Sequence, residues 1–412
     1  MEKILTLQHK ISFKERIFLN LISKMNKGYI NITLPNKNAL DFGDKNSEIK
    51  ADIQIISSEF FNRLFLYGDI GFGEAYEDEL WETSDITSVI SWIILNIENT
   101  PSASGSNVRS LAMNLLKFTN TFIHKLRDNT ISKAKKNISA HYDLSNDFYS
   151  LWLDKSMTYS SAYFKHKDSS LYNAQQEKYK MLSEKLKIKK GDKILEIGCG
   201  WGGMATYLAK NYDAEVTAIT ISKEQYHYAK KRVKNEGIEN RVKILFRDYR
   251  LINGKYDKIV SIEMLEAVGH RFYKPFFAKI NELLTKDGLL ALQVITCPDS
   301  RFKEMKNGVD WIQKHIFPGS LLPSVSALNR AMNQSSNLTP IHLEDMGKHY
   351  AQTLRLWRES FNQKINDINS LGFNQQFTRK WNYYLSYCES AFDMRNINVM
   401  QLLYSRPNNL KY

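Results

Sequence analysis

Cysteine is nearly absent from this chain of 412 residues. Cys199, Cys297 and Cys388 stand far apart, without paired ligand spacing, which excludes a disulfide framework and a cysteine-rich zinc site. A reducing compartment is the simple expectation. Long apolar runs are also missing, so no transmembrane helix is expected. Charges interrupt the apolar residues of MEKILTLQHKISFKERIF, which lacks the apolar core and small-residue cleavage site of a secretory leader. The expected location is therefore cytoplasmic, with any membrane contact peripheral. His141, His270, His315 and His349 have no companions at metal-ligand spacing, and no metal site is expected. Acidic residues fall short of basic ones, 44 against 57, leaving a net charge of +13. Such a balance favours an anionic partner, either nucleic acid or an acidic membrane surface.

What is present suits a folded protein with room for two domains: 43% of residues are hydrophobic and 12% aromatic. From residue 12 to about 27, Phe13, Ile17, Phe18, Leu21, Ile22 and Met25 recur at helical spacing. Packing against its own domain is the commoner fate of such a stripe than lying on lipid. YINITLP, ALDFGD and EIKADIQIIS read as strands, followed by helical patterns in which Asp85 or Thr87 is a plausible cap. GDIGFGEAY lacks a phosphate-binding lysine and reads as an ordered turn. Residues 1–125 are thus expected to form a smaller N-terminal α+β domain that meets the lipid surface, and residues 126–412 the catalytic domain. Between them lies a linker, about 101–136, that turns basic: Lys125, Arg127, Lys133, Lys135 and Lys136 face a single acid, Asp128.

The second domain is organised around residues 193–203, KILEIGCGWGG. An apolar strand carrying Glu196 breaks into Gly198, Gly200, Gly202 and Gly203, and a helical pattern follows. Strand patterns at 193–197, 215–219, 242–246, 257–262 and 289–296 alternate with helical ones, and RFYKPFFAKINELLTKDG carries an Asp-Gly stop. The pattern predicts a doubly wound, Rossmann-like α/β sheet with its ligand at the carboxyl ends of the strands. VMQLLYSRP is a closing strand whose partner is not legible. The Glu-x-Gly-x-Gly-x-Gly spacing resembles the first motif of class I S-adenosyl-L-methionine (SAM) methyltransferases, not a dinucleotide fingerprint or a phosphate loop.

Further stretches converge: HYDLSNDFY (141–149), MTYSSAYF (157–164), ITISKEQ (219–225), RDYR (247–250), SIEMLEAVGH (261–270), LQVIT (292–296) and WIQKHIFPGSLLPS (311–324). With the glycine motif they resemble, in order, the cyclopropane-fatty-acyl-phospholipid synthase family, which includes the mycolic acid cyclopropane synthases. The resemblance spans residues 137–405 and, more loosely, GDIGFGEAY. It implies SAM as methyl donor, a cis double bond of a phospholipid acyl chain as acceptor, and a carbocation that loses a proton to bound bicarbonate. By motif, Tyr159, Ser160, Glu196, Gly198, Cys199, Gly200, Thr220, Gln225, Asp248 and Tyr249 would hold the cofactor. Glu266, Tyr350 and the backbone of Ile295 match the bicarbonate pocket. Ser161 and Gln293 stand where that family commonly has cysteine and histidine, and both can still donate hydrogen bonds.

The chemistry calls for a site that aligns a weak alkene nucleophile and keeps water from a cation. Tyr142, Phe148, Trp152, Tyr163, Trp201 and Trp311 are candidates for a cation-stabilising wall, although each is individually more often ordinary core. The resemblance implies unsaturated phospholipid and an anionic membrane surface as partners. The first domain is a candidate for dimerisation. A nucleic-acid methyltransferase is disfavoured because Glu-Met-Leu-Glu occupies the place of an Asn/Asp-Pro-Pro-Tyr or Pro-Cys motif. Ring-free methylation or methylenation stands second, and a noncatalytic SAM- or lipid-binding protein third.

Overall fold

The computed structural model of the protein describes residues 12–97 and 144–412. The basic linker residues, His141 and Tyr142 lie outside them. The described chain divides into two units, of which the first gathers residues 12–97, 308–316 and 369–396. Segments 308–316 and 369–396, expected in the catalytic domain, thus belong to the smaller unit. Trp311 donates to Glu77 at 3.2 Å, and the Arg379 guanidinium lies 4.0 Å from the centre of the Tyr76 ring. Such pairings are set by packing between distant segments, which helical periodicity does not encode.

The sheet of this unit has the order β2-β1-β3-β4: β1 (Tyr29–Thr33), β2 (Ala39–Gly43), β3 (Lys50–Ile55) and β4 (Trp81–Glu82). Ile30 and Ile32 alternate inward on β1, as the period of two predicts. The first helix, Phe13–Ile22, opens with a Ser12–Glu15 capping box and stops short of residue 27, once Phe18, Leu19 and Ile22 are buried. Asp85 caps helix Ile86–Asn96 by accepting the N–H groups of Thr87 and Ser88. GDIGFGEAY is not a turn: it continues helix Glu59–Glu77 past a kink at Gly68, where φ is 59° and ψ −129°. At Gly73 a Cβ would stand 2.5 Å from the Trp311 ring, so that glycine serves close packing.

The second unit holds β5 (Lys193–Ile197), β6 (Glu215–Thr220), β7 (Val242–Phe246), β8 (Tyr256–Ile262), β9 (Leu284–Thr296), β10 (Thr339–Asp345) and β11 (Asn398–Ser405) in one sheet ordered β10-β11-β9-β8-β5-β6-β7. Strands β5 to β9 run parallel, and β11 is antiparallel to both β9 and β10. The doubly wound α/β fold is the expected one. Leu195, Ile259 and Leu290 face one apolar cluster while Ile194, Val260 and Ala291 face another, so both sides of the sheet are covered. β9 begins at Leu284, five residues early, because that buried leucine pairs with Tyr256 instead of extending the preceding helix Tyr273–Leu283. β5 lies between β6 and β8, so connections leave it in opposite directions and open a crevice at the strand ends.

Candidate active site

The glycine turn leaves the carboxyl end of β5. The N–H groups of Gly198 and Cys199 both donate to the Ile219 carbonyl, at 3.0 and 2.9 Å, which fixes the turn to β6. Gly198 has φ 82°, and a Cβ there would stand 2.9 Å from Met264 Cγ, so both conformation and space require glycine. A Cβ on Gly200 would meet nothing within 4 Å. Glu196 is buried and accepts the Ala205 N–H at the start of helix Gly203–Tyr212. Its Oε2 is buried without a partner among the described residues, and burial pushes its carboxyl up to about 8.

The neighbouring strand ends complete this side. Thr220 Oγ1 donates to Gln225 Oε1 at 2.9 Å and accepts the Ser222 N–H, while Ser222 caps helix Lys223–Asn235. Beyond β7, Asp248 takes a fork of two bonds from Arg250 Nε and Nη2, at 2.8 and 2.7 Å. The Asp248 carboxylate is therefore engaged by Arg250, which sequence reading left out. Tyr249 is buried with its hydroxyl unpartnered among the described residues. A small-residue turn, open space at Gly200 and orphaned buried polar atoms on Glu196 and Tyr249 fit a polar cofactor across these strand ends.

Tyr159, Ser160 and Ser161 reach the same place from a loop that the structure pins repeatedly. Arg232 donates from Nη1 to the carbonyls of Ser156 and Trp201, at 2.8 and 3.0 Å, tying the start of this loop to the glycine turn. Ser160 is held by two residues of helix Leu171–Lys185: Gln175 donates to its carbonyl at 3.0 Å and Lys178 Nζ to its Oγ at 2.7 Å. Lys178 is fully buried, and burial lowers its pKa despite the nearby Glu263, Asp154 and Glu196. Thr353, on helix Gly347–Gln363, takes the Ala162 N–H at 3.0 Å.

The expected anion pocket is occupied differently. Ser161 donates its backbone N–H to Glu263 Oε1 at 2.9 Å, while its hydroxyl bonds the Ala162 carbonyl. Gln293 Nε2 donates to the same Glu263 oxygen at 2.8 Å and to the Ser161 carbonyl at 3.1 Å. Tyr350 also hydrogen bonds to the Glu263 side chain. Gln293 Oε1 accepts from Gln401 at 3.0 Å. Three of the residues matched to a bicarbonate pocket, Ser161, Gln293 and Tyr350, thus converge on a carboxylate of the chain itself. Glu266 and Ile295 pair with each other, the Ile295 N–H donating to Glu266 Oε1. Burial, with the Glu263 charge adding to it, pushes Glu266 up to about 8.

Glu263 is the principal site residue missed in the sequence, although it lies within SIEMLEAVGH. Of the aromatic candidates, Trp152 packs with Tyr159 at a ring separation of 5.7 Å, and Trp201 and Phe148 lie 5.0 and 5.2 Å from Tyr149. Trp357, also missed, lies 5.1 Å from Tyr159 and 6.0 Å from Tyr350. Tyr163 stacks on His349 at 4.4 Å. Trp311 belongs to the core of the first unit, where it packs on Tyr383 at 4.7 Å.

The family model described as mycolic acid cyclopropane synthetase matches residues 129–402. The tuberculostearic acid methyltransferase UfaA1 of Mycobacterium tuberculosis is 36% identical across 82% of this chain and 79% of its own. The cyclopropane-fatty-acyl-phospholipid synthase of Escherichia coli is 36% identical across 88% of this chain and 89% of its own. Among solved structures, the cyclopropane synthase MmaA2 from Mycobacterium tuberculosis superposes with a TM-score of 0.62 at 29% identity, over 66% of this chain and 98% of that one. The mycolic acid cyclopropane synthase CmaA1, solved with SAH and CTAB, gives 0.61 at 30% identity over the same shares.

Proposed function

This chain belongs to the mycolic acid cyclopropane synthetase family, and from that membership we propose that it transfers the SAM methyl carbon to a cis double bond in a phospholipid acyl chain, closing a cyclopropane ring. It is a SAM-dependent methyltransferase of lipid acyl chains. The observation that carries the substrate reading is the identity with the Escherichia coli phospholipid synthase across most of both chains.

When bound, SAM supplies an electrophilic methyl group. Gly198, Cys199 and Gly200, with Tyr159, Ser160 and Glu196 and, from the neighbouring strand ends, Thr220, Gln225, Asp248 and Tyr249, would hold it. The chain's own work is positional. The hold of Gln175, Lys178 and Arg232 on the 156–162 loop keeps Tyr159 and Ser160 in place, which fixes the approach of a weak nucleophile. Tyr159, Trp152 and Trp357 present aromatic faces that exclude water and favour a developing cation.

A second reading, ring-free methylation, is favoured by one observation: a relative of equal identity carries a methyltransferase name. We infer in addition that the protein works peripherally on an anionic membrane surface. The net charge of +13 supports this, and no helix among the described residues is long and apolar enough to cross a membrane. Binding to anionic vesicles should weaken as salt rises.

Incubation with SAM and vesicles of an anionic, cis-monounsaturated phospholipid tests the chemistry. A gain of one methylene unit by mass, with upfield ring protons and no alkene signal, is expected. The same gain with a methyl or methylene signal would establish the second reading. No gain, under conditions where SAM binds, would exclude both for this substrate.

A further inference from the structure

We propose that Glu263 is the proton acceptor of ring closure, a built-in carboxylate that takes the place of a diffusible anion. The inference rests on the methyl-transfer reading above.

Three of the groups matched to an anion pocket are committed to this side chain. Both amide donors, Ser161 N–H and Gln293 Nε2, fall on Glu263 Oε1, and Tyr350 bonds the same carboxylate. Gln293 has no amide proton to spare, because Nε2 donates both to Glu263 and to the Ser161 carbonyl, and the Ser161 hydroxyl is turned to the Ala162 carbonyl. A second anion would join the Glu263 carboxylate in one buried place, where like charges strongly disfavour one another.

The backbone is set for this arrangement. Glu263 has φ 49°, in the left-handed region where a residue with a Cβ is strained. It is kept there by its own N–H, which donates to the Gln293 carbonyl at 2.7 Å. Strain retained at a bonding junction of this kind is characteristic of functional sites. The residues next to it and bonded to it lead to the proposed cofactor site. Met264 is the residue that packs over Gly198, and Ser161 adjoins Ser160. The buried Lys178, which bonds Ser160, supplies the opposing charge.

After methyl transfer the lipid carries a carbocation. A C–H bond on the transferred carbon breaks, its electron pair forms the third C–C bond of the ring, and the proton passes to the Glu263 carboxylate. The neutral acid then returns that proton to water, and no further reactant is consumed. If the hydrogen on the branch carbon is taken instead, its electron pair closes a double bond to the cationic carbon and leaves a methyl-branched alkene, so which C–H bond faces Glu263 decides between a ring and a ring-free chain.

The test compares the wild-type protein with Glu263→Gly, which relieves the positive φ and so should fold. Vesicle assays are run in carbon-dioxide-free buffer with and without added bicarbonate, and bicarbonate binding is measured separately by calorimetry. The wild type should turn over equally in both buffers and bind no bicarbonate. Glu263→Gly should be roughly 100-fold slower without bicarbonate, the scale of a lost general base, and should bind bicarbonate and recover with it. Loss of wild-type turnover on removing carbon dioxide, bicarbonate binding by the wild type, or a full rate for Glu263→Gly without bicarbonate would each overturn the proposal. If neither protein yields lipid product, the methyl-transfer reading fails, and the binding measurement still decides whether Glu263 fills the anion site.

Discussion

Gln293 and Glu263 bond reciprocally across the ends of β9 and β8: the glutamine amide donates to the carboxylate at 2.8 Å, and the glutamate N–H donates to the glutamine carbonyl at 2.7 Å. The pair is the last rung of the strand pairing, one step beyond Ile262 opposite Gln293. A sheet contact thereby fixes the position of a reactive group.

Replacing Gln293 with alanine leaves Glu263 Oε1 and the Gln401 amide each short of a partner. The expected cost is about 1–3 kcal/mol in stability by urea denaturation, with a larger proportional loss of methyl transfer. An unchanged rate would mean that Gln293 does not position the carboxylate.

The buried acids predict a pH dependence. Glu196 and Glu266 are both raised from 4.5 to about 8 in the folded chain, so the folded state holds more protons than the unfolded one between those values. Their contribution to stability is full below about 4.5 and is lost as pH climbs through about 8. In ligand-free protein, the Tm of the wild type relative to Glu266→Gln should fall steadily over that window and level off above it. A difference independent of pH would show that Glu266 is ionised throughout.

Alanine at Gly198 brings the penalty of the left-handed region, about 1–2 kcal/mol, and a clash with Met264. Calorimetry should find SAM affinity lowered at least tenfold, while the same exchange at Gly237, remote from these residues in sequence and with open space around its Cβ, should leave affinity unchanged.

Trp357→Ala should destabilise the protein by about 3–5 kcal/mol, the usual cost of emptying a buried aromatic site. Trp357→Phe keeps an aromatic face toward Tyr159 and should retain more of both stability and turnover. Equal turnover for the two variants would argue against a role for the ring in the reaction.

The glycine turn was legible because its signal is local: an apolar strand, closely spaced glycines and a helix follow one another in eleven residues, 193–203. Strand β11 was visible as a strand, but its place between β9 and β10 depends on pairing between distant residues. Glu263 was passed over for a similar reason. Nothing beside it in sequence announces Ser161, Gln293 or Tyr350, which the fold brings in from three other elements. Arg250 and Trp357 likewise act through tertiary contacts. GDIGFGEAY misled because glycine marks both turns and close packing, and only Gly68 breaks the helix.

The composition of the first unit has a consequence for how the chain is made. Helix Gln375–Asp393 packs against helices Glu59–Glu77 and Ile86–Asn96, and Ser91 meets Ser390 across 299 positions of sequence. During synthesis the early segment must wait, with the face of helix Ile86–Asn96 that carries Thr87 and Ser91 uncovered, until the whole intervening sequence has left the ribosome. A fragment cut after residue 125 would lack this cover and should aggregate, whereas the same fragment supplied with residues 369–396 as a separate peptide should be rescued into solution.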